Sequence, residues 1–139
     1  MSRLLLLGAF AAAQLLGQRV IAVDVDGVIH PITVEIISRA LETAKRDNAE
    51  ALLLRLNTPG GLSDATRAIC EKLIASPVPV IAWVGPGGAR AASAGFFILQ
   101  AADIAAMTPG TNTGSASPVL VGQQMDPVMR RKVENDTAA

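Results

Sequence analysis

One pattern restricts the fold of this chain more than any other: an apolar run, a small-residue turn and a helix-spaced stretch, repeated. Arg19–Val28 carries Val20, Ile21, Val23 and Val25 around Asp24 and Asp26, and ends at Gly27. Ala51–Leu56 and Val80–Val84 are almost wholly apolar, and Asp103–Met107 is a shorter fourth run. Between the first two, Pro31–Asp47 has Ile36, Ile37, Ala40, Leu41 and Ala44 on one helical face, with Thr33 as the expected N-cap. Leu62–Ala75 likewise carries a stripe of Ala65, Ile69 and Leu73, and Ser76-Pro77-Val78-Pro79 ends it. Apolar strands joined through helices predict an α/β domain: a parallel sheet covered by helices, with right-handed crossovers.

With 139 residues the chain is long enough for one small core. Half of it is hydrophobic, aromatics are 3% and tyrosine is absent, which suits an Ala/Val/Ile/Leu core with close helix–sheet packing. The formal charge is zero and no basic run occurs, so nucleic-acid binding is unsupported. Cys70 is the single cysteine, which excludes an intramolecular disulfide, and it reads as a packing residue. His30 is the single histidine, so no zinc site is expected. Residues 1–18 stand apart. Arg3 precedes an apolar run from Leu4 to Leu16, shorter than the roughly twenty residues of a membrane span. Ala11-Ala12-Ala13 offers a small-x-small cleavage site. The segment therefore reads as a secretory signal peptide or an uncleaved N-terminal anchor, and either sends the following domain out of the cytoplasm.

Two turns carry candidate chemistry. The run Val80–Val84 leads into Gly87-Gly88-Ala89-Arg90-Ala91-Ala92-Ser93-Ala94-Gly95-Phe96, and a small-residue helix, Ala94–Ala101, leaves it. A serine at such a junction either places its oxygen in a pocket beside free amides or caps the helix; both readings stand at this point. The other turn, Asn57-Thr58-Pro59-Gly60-Gly61, follows a buried-type strand. Its glycines can expose backbone N–H groups where an oxyanion forms, or can serve a plain strand-to-helix turn, with Asn57 shaping it. A serine nucleophile needs a base within about 3 Å, and no histidine follows His30, which reads as a surface or structural residue. The lysines are Lys45, Lys72 and Lys132. Lys132 lies in a predicted helix, Asp126–Ala139, capped by Asp126 with Pro127 first, after a Gly/Ser/Thr/Pro-rich loop over Thr108–Gln124. Locally, Arg130-Arg131-Lys132 also reads as a solvated helix start.

Four ordered motifs resemble one family: Asn57-Thr58-Pro59-Gly60-Gly61, Ala91-Ala92-Ser93-Ala94-Gly95, Ala106-Met107-Thr108-Pro109-Gly110-Thr111-Asn112-Thr113-Gly114 and Lys132-Val133-Glu134-Asn135-Asp136. From about Ile21 onward the chain resembles the NfeD family of membrane-associated serine proteases, within the Clp protease and crotonase superfamily. The resemblance implies a Clp/crotonase-like parallel sheet with flanking helices, incomplete at its C-terminus over residues 19–139. It implies a catalytic Ser93–Lys132 dyad and an oxyanion hole of the Gly61 and Ala94 amides. No metal or organic cofactor is expected. The implied substrates are apolar segments of stomatin-like membrane proteins, and Clp-type folds commonly associate as homo-oligomers. Two other functions share the fold: a crotonase-type acyl-CoA enzyme and a non-catalytic, membrane-associated scaffold. Ser115 and Ser117 read as loop serines near the expected substrate path.

Overall fold

A computed structural model describes residues 18–117 and 126–138. The expected leader, apart from Gln18, and the loop from residue 118 to 125 lie outside the described residues. Four parallel strands, β1 (Val20–Asp26), β2 (Ala51–Asn57), β3 (Val80–Val84) and β5 (Ile104–Met107), form one sheet in the order β1-β2-β3-β5. The register aligns Val25 with Leu56, Leu54 with Ala82, and Ala82 with Ala105. Side chains alternate across a strand, so Leu52, Leu54 and Leu56 share one face and are fully buried. On that face they pack with α1 (Pro31–Arg46), α2 (Ser63–Ile74) and α3 (Ala94–Gln100) through Ile37, Ile69 and Ile98. The opposite face carries half-buried Leu53, Ile81 and Trp83, and an exposed pair in which Arg55 grips Asp24 at 2.7 and 2.8 Å.

Two short strands had no signature in the sequence. β4 (Arg90–Ala92) and β6 (Asn112–Gly114) pair in parallel as a second sheet, inside segments expected to be turn and loop. Each is three residues long, too short for a periodic pattern. The join to the main sheet is Thr58, just past β2: its N–H donates to Arg90 O (2.7 Å) and its carbonyl accepts from Ala92 N–H (3.0 Å).

The helix ends show why the remaining expectations held or shifted. The N-cap of α1 is His30, not Thr33: His30 Nδ1 accepts from Ile32 N–H (3.3 Å) while Thr33 Oγ1 accepts from His30 N–H (3.3 Å). The single histidine is thus structural. Ile37, Ala40 and Ala44 are the buried positions of α1, and Ile36, one helical step (about 100°) away from Ile37, is exposed. In α2, Ala65, Ile69 and Leu73 are buried as expected. The last element, α4 (Pro127–Ala138), begins with Asp126 Oδ1 accepting from Val128 N–H at 2.8 Å.

Candidate active site

Ser93 stands between β4 and α3 with φ 51° and ψ −112°. A left-handed backbone costs a residue with a Cβ about 1–2 kcal/mol, so its surroundings must hold it there. They do so from three sides. Ser93 N–H donates to Gly114 O (2.8 Å), Ala92 N–H donates to Thr58 O (3.0 Å), and Ser93 O accepts from Phe96 N–H (3.0 Å). Ser93 occupies the N-cap position of α3, yet its hydroxyl makes no capping bond. That removes the capping alternative and leaves Oγ available on the surface of a cleft.

The Pro-Gly-Gly turn is built against this serine. Thr58 is fully buried, and its hydroxyl spans the Gly60 residue, accepting from Gly60 N–H (3.1 Å) and donating to Gly60 O (3.2 Å). Gly60 has φ +127°, and a Cβ there would lie 2.8 Å from Ser93 Cβ and 3.2 Å from Ser93 Oγ, so only glycine allows this approach. Gly61 is pressed against Ile29: a Cβ there would sit 2.1 Å from Ile29 O. Ile29 N–H donates to Gly60 O and Leu62 N–H to Ile29 O, both at 2.9 Å, and neither bond uses the Gly61 N–H. Ala94 is the first residue of α3, so its N–H has no partner within the helix. Asn57 shapes the entrance, as expected: its side chain donates to Asp26 Oδ1 (3.1 Å) and accepts from Arg90 N–H (3.3 Å). The part of Thr58, whose hydroxyl orders the glycines, was not visible in the sequence; a threonine just after an apolar strand carries no distinguishing signal.

Ser93, Gly61 and Ala94 all line one cleft of about 340 Å³ between α2, α3 and α4. The fourth expected residue is not brought to it. Lys132 is exposed on α4 beside Pro127, Val128, Arg131 and Asn135, whereas Val133 and Asp136 are the α4 residues on the cleft. Asp136 lies 3.7 Å from Arg67 of α2. Lys45 and Lys72 are exposed on α1 and α2 and do not line the cleft. Cys70 is half-buried on the cleft wall and also packs against the core. Burial pushes its thiol above the ordinary value, the neighbouring Glu71 adding to this and a backbone hydrogen bond opposing it. Among the described residues no cluster of His, Cys, Asp and Glu is arranged to hold a metal.

A family model described as the NfeD1b N-terminal domain matches residues 19–127. The chain belongs to that family. Among curated relatives of this NfeD1b-type domain, the membrane-bound protease PH1510 of Pyrococcus horikoshii is 39% identical over 112 residues, covering 80% of this chain and 25% of its own length. Membrane protein NfeD1b of Bacillus subtilis is 34% identical over 114 residues, with 82% and 25% covered. The chain thus spans about 25% of the length of these relatives. Two solved structures are similar. One is a serine-to-alanine mutant of the 1510-N membrane-bound stomatin-specific protease, 38% identical, with a TM-score of 0.73 over 77% of this chain and 52% of that one. The other is a lysine-to-alanine mutant of the same protease in complex with a substrate peptide, 37% identical, with a TM-score of 0.74 over 78% of this chain and 52% of that one. The expected family and the expected parallel α/β architecture are therefore both correct. No helix among the described residues is long and apolar enough to cross a membrane.

Proposed function

We propose that this NfeD1b-type domain carries the nucleophile and oxyanion hole of a membrane-associated, extracytoplasmic serine endopeptidase that cuts apolar segments of stomatin-like proteins. The observation that carries the reading is Ser93: a non-glycine residue at φ 51°, its hydroxyl unbonded to other described residues, on a cleft shared with Gly61 and Ala94. Ser93 Oγ attacks the peptide carbonyl, and the amides of Gly61 and Ala94 receive the oxygen as it becomes an oxyanion. An acyl-enzyme forms, the amine leaves with a proton, and water releases the acyl product. Lys132 is the base that takes the Ser93 proton. A lysine accepts a proton only as the neutral amine, which burial favours. Neighbouring helix positions differ by about 100°, so a turn of that size about the α4 axis exchanges Val133 for Lys132 on the cleft. The serine and lysine variants of the solved relative, and its description as stomatin-specific, support the dyad and the substrate class. The membrane-bound relatives support membrane association.

The test is cleavage of an apolar peptide by wild type, Ser93→Ala and Lys132→Ala, with circular dichroism as the folding control. Each substitution is expected to lower kcat by at least about 1,000-fold, the scale seen when one member of a catalytic unit is removed. Unchanged cleavage by Ser93→Ala overturns the reading and favours a non-catalytic scaffold. Loss with Ser93→Ala but not Lys132→Ala keeps the nucleophile and rejects the base.

A further inference from the structure

Asp136 stands one helical turn from the proposed base. The residues three and four positions from Lys132 on α4 are Val128, Met129, Asn135 and Asp136, so Asp136 is the single ionisable group among its nearest helical neighbours. That spacing is set within α4 and is the same in any orientation of the helix. A carboxylate one turn from a lysine favours the ammonium form, which cannot take the Ser93 proton. The dyad therefore needs Asp136 to be engaged elsewhere. Asp136 Oδ2 lies 3.7 Å from the Arg67 guanidinium of α2, and among the described residues its ion-pair partner is Arg67 and not Lys132. Both members of this pair line the cleft that holds Ser93. Lys132 and Asp136 are about 40° apart around α4, so a turn of the helix that brings Lys132 to the cleft keeps Asp136 on the side where Arg67 stands. The other charged residues of α4 near Lys132, namely Arg130, Arg131 and Glu134, do not line the cleft; from the facing helices the titratable or charged residues on it are Arg67 and Cys70 of α2, and α3 contributes none.

We propose that Arg67 is a positioning residue for the reaction: it holds the Asp136 carboxylate away from Lys132, which leaves the Lys132 amine free to be neutral. The proposal rests on the Ser93–Lys132 reading of the site. Arg67 acts through Asp136, and a guanidinium suits the task because it stays charged across the whole working pH range. The pair is largely exposed, so its hold in water is modest. A peptide lying in the cleft displaces water from these walls and strengthens the interaction.

The experiment measures kcat/KM for an apolar peptide against pH in the full chain, in Arg67→Gln, in Asp136→Asn and in the double variant, with circular dichroism as the folding control. Arg67→Gln releases Asp136 to Lys132, and at pH 7 kcat/KM is expected to fall by about 2- to 5-fold, the lower figure being that of an exposed pair one turn apart on a helix. The loss shrinks as the pH rises toward the plateau of the profile, where the amine is neutral in both chains. In the Asp136→Asn background the same Arg67→Gln change is expected to cost less than about 1.5-fold, because no carboxylate is left to release. A loss at pH 7 smaller than about 2-fold overturns the proposal. So does a loss that is equal at every pH, which marks a structural role, and so does a loss that persists in the Asp136→Asn background, which marks direct action of Arg67 on Lys132 or on the peptide. Ser93→Ala separates the two levels. If it abolishes cleavage while the Arg67 variants cleave like wild type, the positioning role alone is wrong. If it cleaves like wild type, the protease reading has failed and the positioning role falls with it.

Discussion

Gly61→Ala isolates the coupling between the Ile29 backbone and the Gly60–Gly61 turn, the turn proposed to hold the oxyanion. A Cβ on Gly61 would lie 2.1 Å from Ile29 O, 2.5 Å from Ile29 N and 2.6 Å from Ile29 Cβ. Real Cβ atoms essentially never come within 3.0 Å of such atoms, so the two segments must separate by about 0.9 Å. Both contacts of Ile29 with this turn are backbone hydrogen bonds of 2.9 Å, and a shift of that size disrupts them. Each such bond contributes about 1 kcal/mol, and forced overpacking adds about 1–3 kcal/mol. The expected destabilisation is therefore about 3–5 kcal/mol, which lowers Tm by about 10–25 °C in a domain of this size. The amide of Gly61 moves with the turn; if it is the proposed oxyanion donor, cleavage falls by about 100- to 1,000-fold as well. Gly87→Ala is the internal control. Its φ is not positive, and a Cβ there meets only Pro109 O at an ordinary 3.5 Å. It is expected to stay within about 1 kcal/mol of wild type. Thermal unfolding by circular dichroism, together with hydrogen exchange at Ile29 and Leu62, measures both variants. A Gly61→Ala chain that melts within about 3 °C of wild type would refute the argument, because the turn would then be soft enough to absorb a methyl group.

Two further outcomes follow from groups outside the proposed dyad. Thr58→Val keeps shape but removes the hydroxyl from a fully buried site, leaving Gly60 N–H without its acceptor; it is expected to destabilise by about 1–3 kcal/mol in denaturant titration, and a change below about 0.5 kcal/mol would count against the clamp. Because burial raises the Cys70 thiol, its reactive thiolate is scarcer at a given pH in the folded chain; iodoacetamide at pH 8 is expected to alkylate it more slowly than in urea-unfolded chain, and equal rates would contradict the stated burial.

What the sequence conveyed follows from which interactions were local. The three long strands are apolar runs of adjacent residues, and the buried stripes of α1 and α2 repeat over whole helical turns, so local sequence reveals them. The Ser93 turn was legible because small residues and glycines crowd one junction. β4 and β6 were not, since each exists only through its partner and through the bridge at Thr58. His30 as a cap was missed because imidazole is not among the favoured capping groups, and the bond requires Thr33 to reciprocate. The facing of α4 was the least legible feature. Val133, the half-buried residue among those of α4 whose burial is described, is set among Arg130, Arg131, Lys132 and Glu134, so the pattern defines no dominant face.

That difference in anchoring divides the proposed machinery into two parts. The nucleophile is over-determined: β6 holds Ser93 N–H, Thr58 holds Ala92, and α3 takes the Ser93 carbonyl, so about 1–2 kcal/mol of backbone strain is sustained by three separate elements. From Pro127 to Asp136 the helix bearing Lys132 is exposed at every residue but Val133. It meets the cleft through Val133 and through an Arg67–Asp136 pair at 3.7 Å, with side chains 72% and 79% exposed. Pairs that exposed contribute about 0–1 kcal/mol. Substitutions at Thr58, Gly61 or Gly95 must therefore disturb folding and the site together, because the same contacts serve both; a Cβ at Gly95, for example, would meet Thr58 Cγ2 at 2.6 Å. Substitutions on α4 can change catalysis while the core, to which no described residue of α4 belongs, stays as stable as before.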